Sequence, residues 1–150
     1  MAEHSSDPDD LGRFVAAQAG SYQRAVLELR AGKKRSHWMW YIFPQVVGLG
    51  SSSMAQRYAI HSRAEAEAYL AHPILRQRLI ECAEAFLEVN GRSAREIMGY
   101  PDDLKLQSSM TLFAIASGPD SVFERVLQKY YDGARDSKTL ERLSLEEADS

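Results

Sequence analysis

At 150 residues, with 45% hydrophobic and 26% charged side chains, the chain has the size and composition of one ordinary globular domain, which excludes wholesale disorder and two full domains. A formal net charge of -3 lacks the basic excess of a general nucleic-acid or membrane-surface binder, and a single cysteine excludes an internal disulfide. No apolar run approaches the roughly 18 residues of a membrane span and no signal-peptide pattern opens the chain, so a cytoplasmic protein is expected.

Helix punctuation is legible along the chain. Asp7 followed by Pro8 suits a helix start ahead of Leu11, Phe14, Val15 and Gln18. Tyr22, Val26 and Leu29 recur at helical spacing until Gly32, where a C-terminal glycine is expected. Ser62 to Glu65 and Ser93 to Glu96 both read S-x-x-E, the capping box in which hydroxyl and carboxylate satisfy each other's backbone donors. From Pro73 to Val89 the stripe of Leu75, Leu79, Cys82 and Phe86 predicts the longest amphipathic helix. Asp102 and Asp103 favour a helix start, with Leu106, Met110 and Phe113 on one face behind them. Val122, Phe123, Val126, Leu127, Tyr130 and Tyr131 form a stripe broad enough to put their helix at the centre of the core. Asp136 can cap a last helix carrying Leu140 and Leu143. Only Trp38 to Val47 is rich in aromatic and β-branched residues; Ser36 as a cap and Pro44 as a stop favour a short buried helix over a strand. The expectation is an all-α fold, one compact domain of about seven or eight short helices over residues 1–145, with a frayed acidic tail at 146–150.

Charge and aromatics coincide in one third of the chain. Between Glu28 and Glu65 there is no acidic residue, yet the interval holds Arg30, Lys33, Lys34, Arg35, Arg57 and Arg63 with His37 and His61. Both tryptophans, Trp38 and Trp40, lie there, followed by Gln45 and a Gly48-Leu49-Gly50-Ser51-Ser52-Ser53 run. Converging backbone N–H groups and hydroxyls, with Arg57 one turn further on, suit an anion, and the aromatic rings suit stacking on a base. Core packing of the tryptophans, solvation of a helix end by Lys33 to Arg35 and a plain turn at Gly48 to Ser53 account for the same residues without a ligand. A second polar cluster, Asp102, Asp103, Lys105, Ser108 and Ser109, sits at one helix start, where it can hold a substrate or simply cap and pack.

Other chemistry is sparse. His4, His37, His61 and His72 show no metal-ligand spacing and no cysteine partner, so no metal site and no cofactor are expected. Cys82 lies on an apolar stripe and reads as a buried hydrophobe. There is no G-x-S-x-G elbow and no complete phosphate-binding glycine motif.

Several runs carry a family resemblance: Arg13-Phe14 with Gln18; Gly32 through Gln45; Gly48-Leu49-Gly50; Arg57-Tyr58-Ala59-Ile60; Tyr69-Leu70 with His72-Pro73; and Asp103-Leu104-Lys105-Leu106 through Phe113. With these the chain resembles, over nearly its whole length, an uncharacterised bacterial and fungal domain-of-unknown-function family, some members of which are labelled calpastatin. The chain has neither the disorder nor the repeats that such a protease inhibitor would need. The family is also distantly similar to the NADAR group of small helical proteins, which implies a ligand class of NAD or ADP-ribose derivatives and N-glycoside hydrolysis.

These readings combine into one expectation: a pocket for a small anionic, nucleotide-like molecule, with hydrolysis of its N-glycosidic bond if the protein is an enzyme. His37, Trp38, Trp40 and Gln45 would contact ring and sugar; Lys34, Arg35 and Arg57 the phosphates; Asp103 with Lys105 would be the polar pair nearest chemistry. Folding is expected to bring a tryptophan, Arg57 and the Asp103–Lys105 helix end to one cleft. The alternative is a non-catalytic helical interaction module whose aromatic run is core and whose basic stretch docks an acidic partner.

Overall fold

In the computed structural model, residues 7–149 are described, with side chains described to residue 145. Ten helices follow in order: α1 (Gly12–Ala19), α2 (Tyr22–Arg30), α3 (Met39–Ile42), α4 (Ser53–Arg57), α5 (Arg63–Ala71), α6 (Pro73–Leu87), α7 (Ala94–Met98), α8 (Asp102–Ser117), α9 (Val122–Tyr131) and α10 (Ser137–Asp149). Three of them, α3, α4 and α7, are single turns of four or five residues, and the other seven run from 8 to 16 residues. Among the described residues the β pairing is limited to one parallel bridge between Val46 and Ile60. The tail expected at 146–150 falls where side chains, and at Ser150 the backbone, lie outside the described residues.

Local chemistry sets most of the ends. The Asp7 carboxylate accepts from the N–H groups of Leu11 and Gly12 and so caps the approach to α1. At the end of α2, Gly32 adopts φ +75, Gly32 N–H bonds Leu29 O and Lys33 N–H bonds Glu28 O, the paired closure that a left-handed residue permits. Ser93 and Glu96 complete a reciprocal capping box. Ser62 caps α5 by accepting from Glu65 N–H, but the Glu65 carboxylate turns to His61 and Arg13 instead of closing the box.

Two long helices organise the interior. Helices α5 and α9 each pack on both α6 and α8; α1, α2 and α3 pack on α6, and α7 and α10 on α8. A run of rings threads the core: Phe14 to Tyr69 at 5.2 Å, Tyr69 to Phe113 at 5.2 Å and Phe113 to Phe123 at 5.8 Å between centroids. Each such pair adds about 0.5–1.5 kcal/mol beyond burial. The Tyr69 hydroxyl accepts from buried Gln18 Nε2 at 2.9 Å, so the polar atoms inside this cluster are satisfied.

The central helix is α8 rather than α9. Helix α9 buries Val122, Phe123, Val126 and Leu127 along one face, whereas α8 buries an unbroken run from Ser108 to Ala114. The sequence signal favoured α9 because its apolar stripe is regular. In α8, small hydroxylic residues occupy interior positions, and at Ser108 and Thr111 hydrogen bonds rather than hydrophobicity offset the cost of burial.

Candidate functional site

The basic, aromatic third is tied to itself by Glu28. Its carboxylate, on α2, accepts from Trp38 Nε1 at 2.9 Å, Ser36 Oγ at 2.6 Å, and the backbone N–H groups of Arg35 and Ser36 at 2.9 and 3.0 Å. Burial works to raise its pKa, but these donors outweigh burial and hold the carboxyl down at about 2. Trp38 is consequently sealed, with 1% of its surface exposed. Lys34 is committed as well: its ammonium lies 2.9 Å from Asp102 Oδ2, donates to Ser36 O at 2.6 Å, and sits 4.9 Å over the Trp38 ring. Trp40 is half-buried against the core, while Arg35 and His37 are exposed.

The second polar cluster opens outward. Gln45 and Leu49, from the segment between α3 and α4, face Leu104, Lys105 and Ser108 of α8 and the preceding Pro101 across a cleft of about 420 Å³. Asp136, Ser137 and Lys138, where α10 begins, close its third side. Six hydrogen bonds fix this geometry. Gln45 O accepts from Ile60 N–H at 2.9 Å, and Val47 N–H donates to Ile60 O at 2.8 Å, which pins the Gln45 segment to the chain after α4. Ser108 Oγ donates to Asp136 Oδ2 at 2.9 Å, and the same oxygen accepts from Thr139 N–H at 2.9 Å and Thr139 Oγ1 at 2.6 Å. Thr111 Oγ1 accepts from Asp136 N–H at 2.9 Å, so the hydroxyls of α8 stitch the start of α10 in place.

The glycines beside the cleft serve close approach. Gly48 has φ +93, and a Cβ there would lie 2.5 Å from the Arg142 guanidinium, whose Nε donates to Val47 O at 3.1 Å. At Gly50 a Cβ would meet Ala55 Cβ at 2.6 Å. These contacts, together with Ser52 capping α4 through Ala55 N–H, occupy the loop that the sequence offered as an anion cradle.

Of the residues singled out from the sequence, Gln45 and Lys105 therefore share a cleft. Asp103 does not line it: one carboxylate oxygen is 3.3 Å from Arg95 Nε, and the other is buried with no partner among the described residues. The carboxylate beside Lys105 is Asp102, at 3.8 Å, one helical turn back and also bonded to Lys34. Ser109 is fully buried with its hydroxyl unpartnered among the described residues. Arg57 lines a different cleft, with Arg13, His61 and Glu65. The tryptophans, Arg57 and the start of α8 thus do not form the one cleft expected of them. Lys138 and Asp136 are the lining residues that sequence reasoning missed as ligand contacts; the Asp136-x-x-Thr139 cap was their only signal.

Cys82 follows the sequence reading. Cys82 is buried, and burial pushes its thiol up to about 12, consistent with a small hydrophobe. Among the described residues no cluster of histidine, cysteine or carboxylate side chains could hold a metal ion, and no helix is long and apolar enough to cross a membrane.

With this geometry in place, comparison with known proteins is informative about kinship. Residues 8–143 match the family described as Protein of unknown function (DUF1810). The chain belongs to this family. The crystal structure of the conserved hypothetical protein Rv1873 from Mycobacterium tuberculosis is similar to this DUF1810 chain, with 56% identity, a TM-score of 0.90, and coverage of 92% of this chain and 99% of that one. No curated protein matches the DUF1810 chain.

Proposed function

We propose that this DUF1810 protein binds a small phosphorylated, ring-bearing molecule, of the nucleotide or ADP-ribose class, in the cleft between Gln45, the start of α8 and the start of α10. The observation that carries the reading is the convergence of two lysines with apolar walls. Lys138 has no anionic partner among the described residues, and Lys105 has only the 3.8 Å contact to Asp102. The N-terminus of α10, a helix of 13 residues that carries Lys138 in its first turn, lines the same cleft and favours negative charge. Leu49, Pro101 and Leu104 give a ring somewhere to lie, and the Gln45 amide offers both a donor and an acceptor to a sugar or base edge. The phosphate role thus falls to Lys105 and Lys138, rather than to Lys34, Arg35 and Arg57. Hydrolysis of an N-glycosidic bond needs a carboxylate near the reacting carbon, and in this cleft that group is Asp136 rather than Asp103.

A thermal-shift panel of nucleotides, NAD and ADP-ribose tests the reading, since a ligand at a hundred times its dissociation constant stabilises by about 2.7 kcal/mol. At least one compound is expected to raise the melting temperature of the wild type and not that of the Lys105→Ala/Lys138→Ala double variant. A panel with no shift, or a shift that survives the double substitution, sinks it. The second reading, a non-catalytic interaction module, draws on Tyr100 and Leu104, which are 68% and 46% exposed and four residues apart. A silent panel, combined with a partner whose capture is lost on Tyr100→Ser/Leu104→Ser, would favour it.

A further inference from the structure

A second cleft, of about 520 Å³, opens where the turn before α1 meets the junction of α4 and α5. In its wall Glu65 and Arg13 form an ion pair at 3.1 Å, their side chains only 4% and 10% exposed. Arg13 is fully committed. It donates to the carbonyls of Arg57 and Ala59 and to those of Asp9 and Asp10, all at 2.8 Å, so it ties three segments together and has nothing left for a ligand.

Glu65 uses its other oxygen on His61. That oxygen accepts from His61 N–H at 3.1 Å and lies 2.9 Å from His61 Nδ1. A buried carboxylate at Nδ1 makes that nitrogen the donor and leaves Nε2 as the free ring atom of a side chain that is 61% exposed. Arg57, on the same cleft, lies 5.5 Å over the Tyr58 ring and has no ion-pair partner among the described residues. Asp9 and Asp10 are the remaining charged groups lining it.

The cleft therefore presents one uncommitted guanidinium, one oriented imidazole acceptor and two carboxylates. A multiply charged anion meets repulsion from Asp9 and Asp10, and a simple cation meets it from Arg57. A compact molecule with one anionic group and hydrogen-bond donors a few bonds away meets neither. We propose that this cleft is a second small-molecule site, separate from the α8–α10 cleft, that takes a hydroxy acid or an amino acid. The carboxylate pairs with Arg57, bidentately as a planar fork allows. The hydroxyl or ammonium group donates to His61 Nε2 and to Asp9 or Asp10.

The test is a titration of the full chain followed by the His61 ring resonances. Serine and glycerate serve as complete probes, propionate and ethanolamine as half-probes, and inorganic phosphate as the highly charged one. Serine or glycerate is expected to move the His61 signals with a dissociation constant at least about tenfold below those of both half-probes and of phosphate, a difference of about 1.4 kcal/mol. Arg57→Ala, which keeps the backbone carbonyl that Arg13 uses, should weaken both acids about tenfold or more. Asp9→Asn with Asp10→Asn should weaken serine more than glycerate. Phosphate binding as tightly as either acid, equal binding of whole and half probes, no movement at tens of millimolar, or indifference to Arg57→Ala would each overturn the proposal.

Discussion

Two regions of this molecule are rich in cations and polar side chains, and they use them in opposite ways. Around Glu28, the Trp38 indole, the Ser36 hydroxyl and the backbone N–H groups of Arg35 and Ser36 are turned inward, and the carboxylate collects these four donors. Around the α8–α10 cleft, Ser108, Thr139 and Asp136 satisfy one another through side-chain hydrogen bonds on one wall, and Lys105 and Lys138 line the opening. A basic, aromatic sequence can therefore be structural cement, while the modest pair of Lys105 and Ser108 lines an open cleft. The difference lies in where the counter-charge sits. Glu28 is seven to ten residues from the groups it binds, whereas Lys138 has no ion-pair partner among the described residues.

The sharpest way to break this contrast is to remove the sealed ring. Trp38→Ala should destabilise by about 4 kcal/mol in chemical denaturation, as expected for truncation of a fully buried tryptophan. A loss below about 1 kcal/mol would mean that Trp38 does not hold the segment. Next in size, Glu28→Gln keeps the shape but loses charge-assisted bonds, and should cost about 2 kcal/mol at neutral pH. Because the folded carboxyl is held at about 2, below its ordinary 4.5, its contribution is complete above pH 4.5 and is lost as pH falls toward 2. The wild type should therefore lose stability across that interval more steeply than Glu28→Gln, as followed by denaturation at stepped pH.

On the other side of the comparison, Ser108→Ala removes one of three donors from Asp136 and should cost about 1 kcal/mol, read from the urea midpoint. The smallest expected effect is the most informative. Lys105→Ala should change stability by no more than about 0.5 kcal/mol, because its one ion pair among the described residues is long and partly exposed. A loss as large as that of Glu28→Gln would show that Lys105 is structural too, and the two regions would cease to differ.

Much of the fold was readable from local pattern. The Ser93–Glu96 box, the Gly32 closure and the α6 stripe of Leu75, Leu79, Cys82 and Phe86 all occur where spacing placed them. The site was less readable. Asp103 and Asp102 are equivalent as helix-start acids, and only packing against α7 turned Asp103 toward Arg95 and left Asp102 between Lys34 and Lys105. Glu65 read as half of a capping box, yet it became a buried anchor for Arg13 and His61.

What the sequence determined by itself was the all-helical character, most helix ends and the apolar faces, because caps, turn residues and helical spacing act within a few residues of one another. What only the tertiary structure decided was which helix is central, which cations are neutralised and which polar residues share a cleft. Those outcomes rest on contacts such as Gln45 facing Lys105 and Lys138, or Arg13 reaching Glu65, between residues far apart in the chain. The worth of a charge or hydroxyl depends on its burial and its partner, and neither is set until the helices have packed.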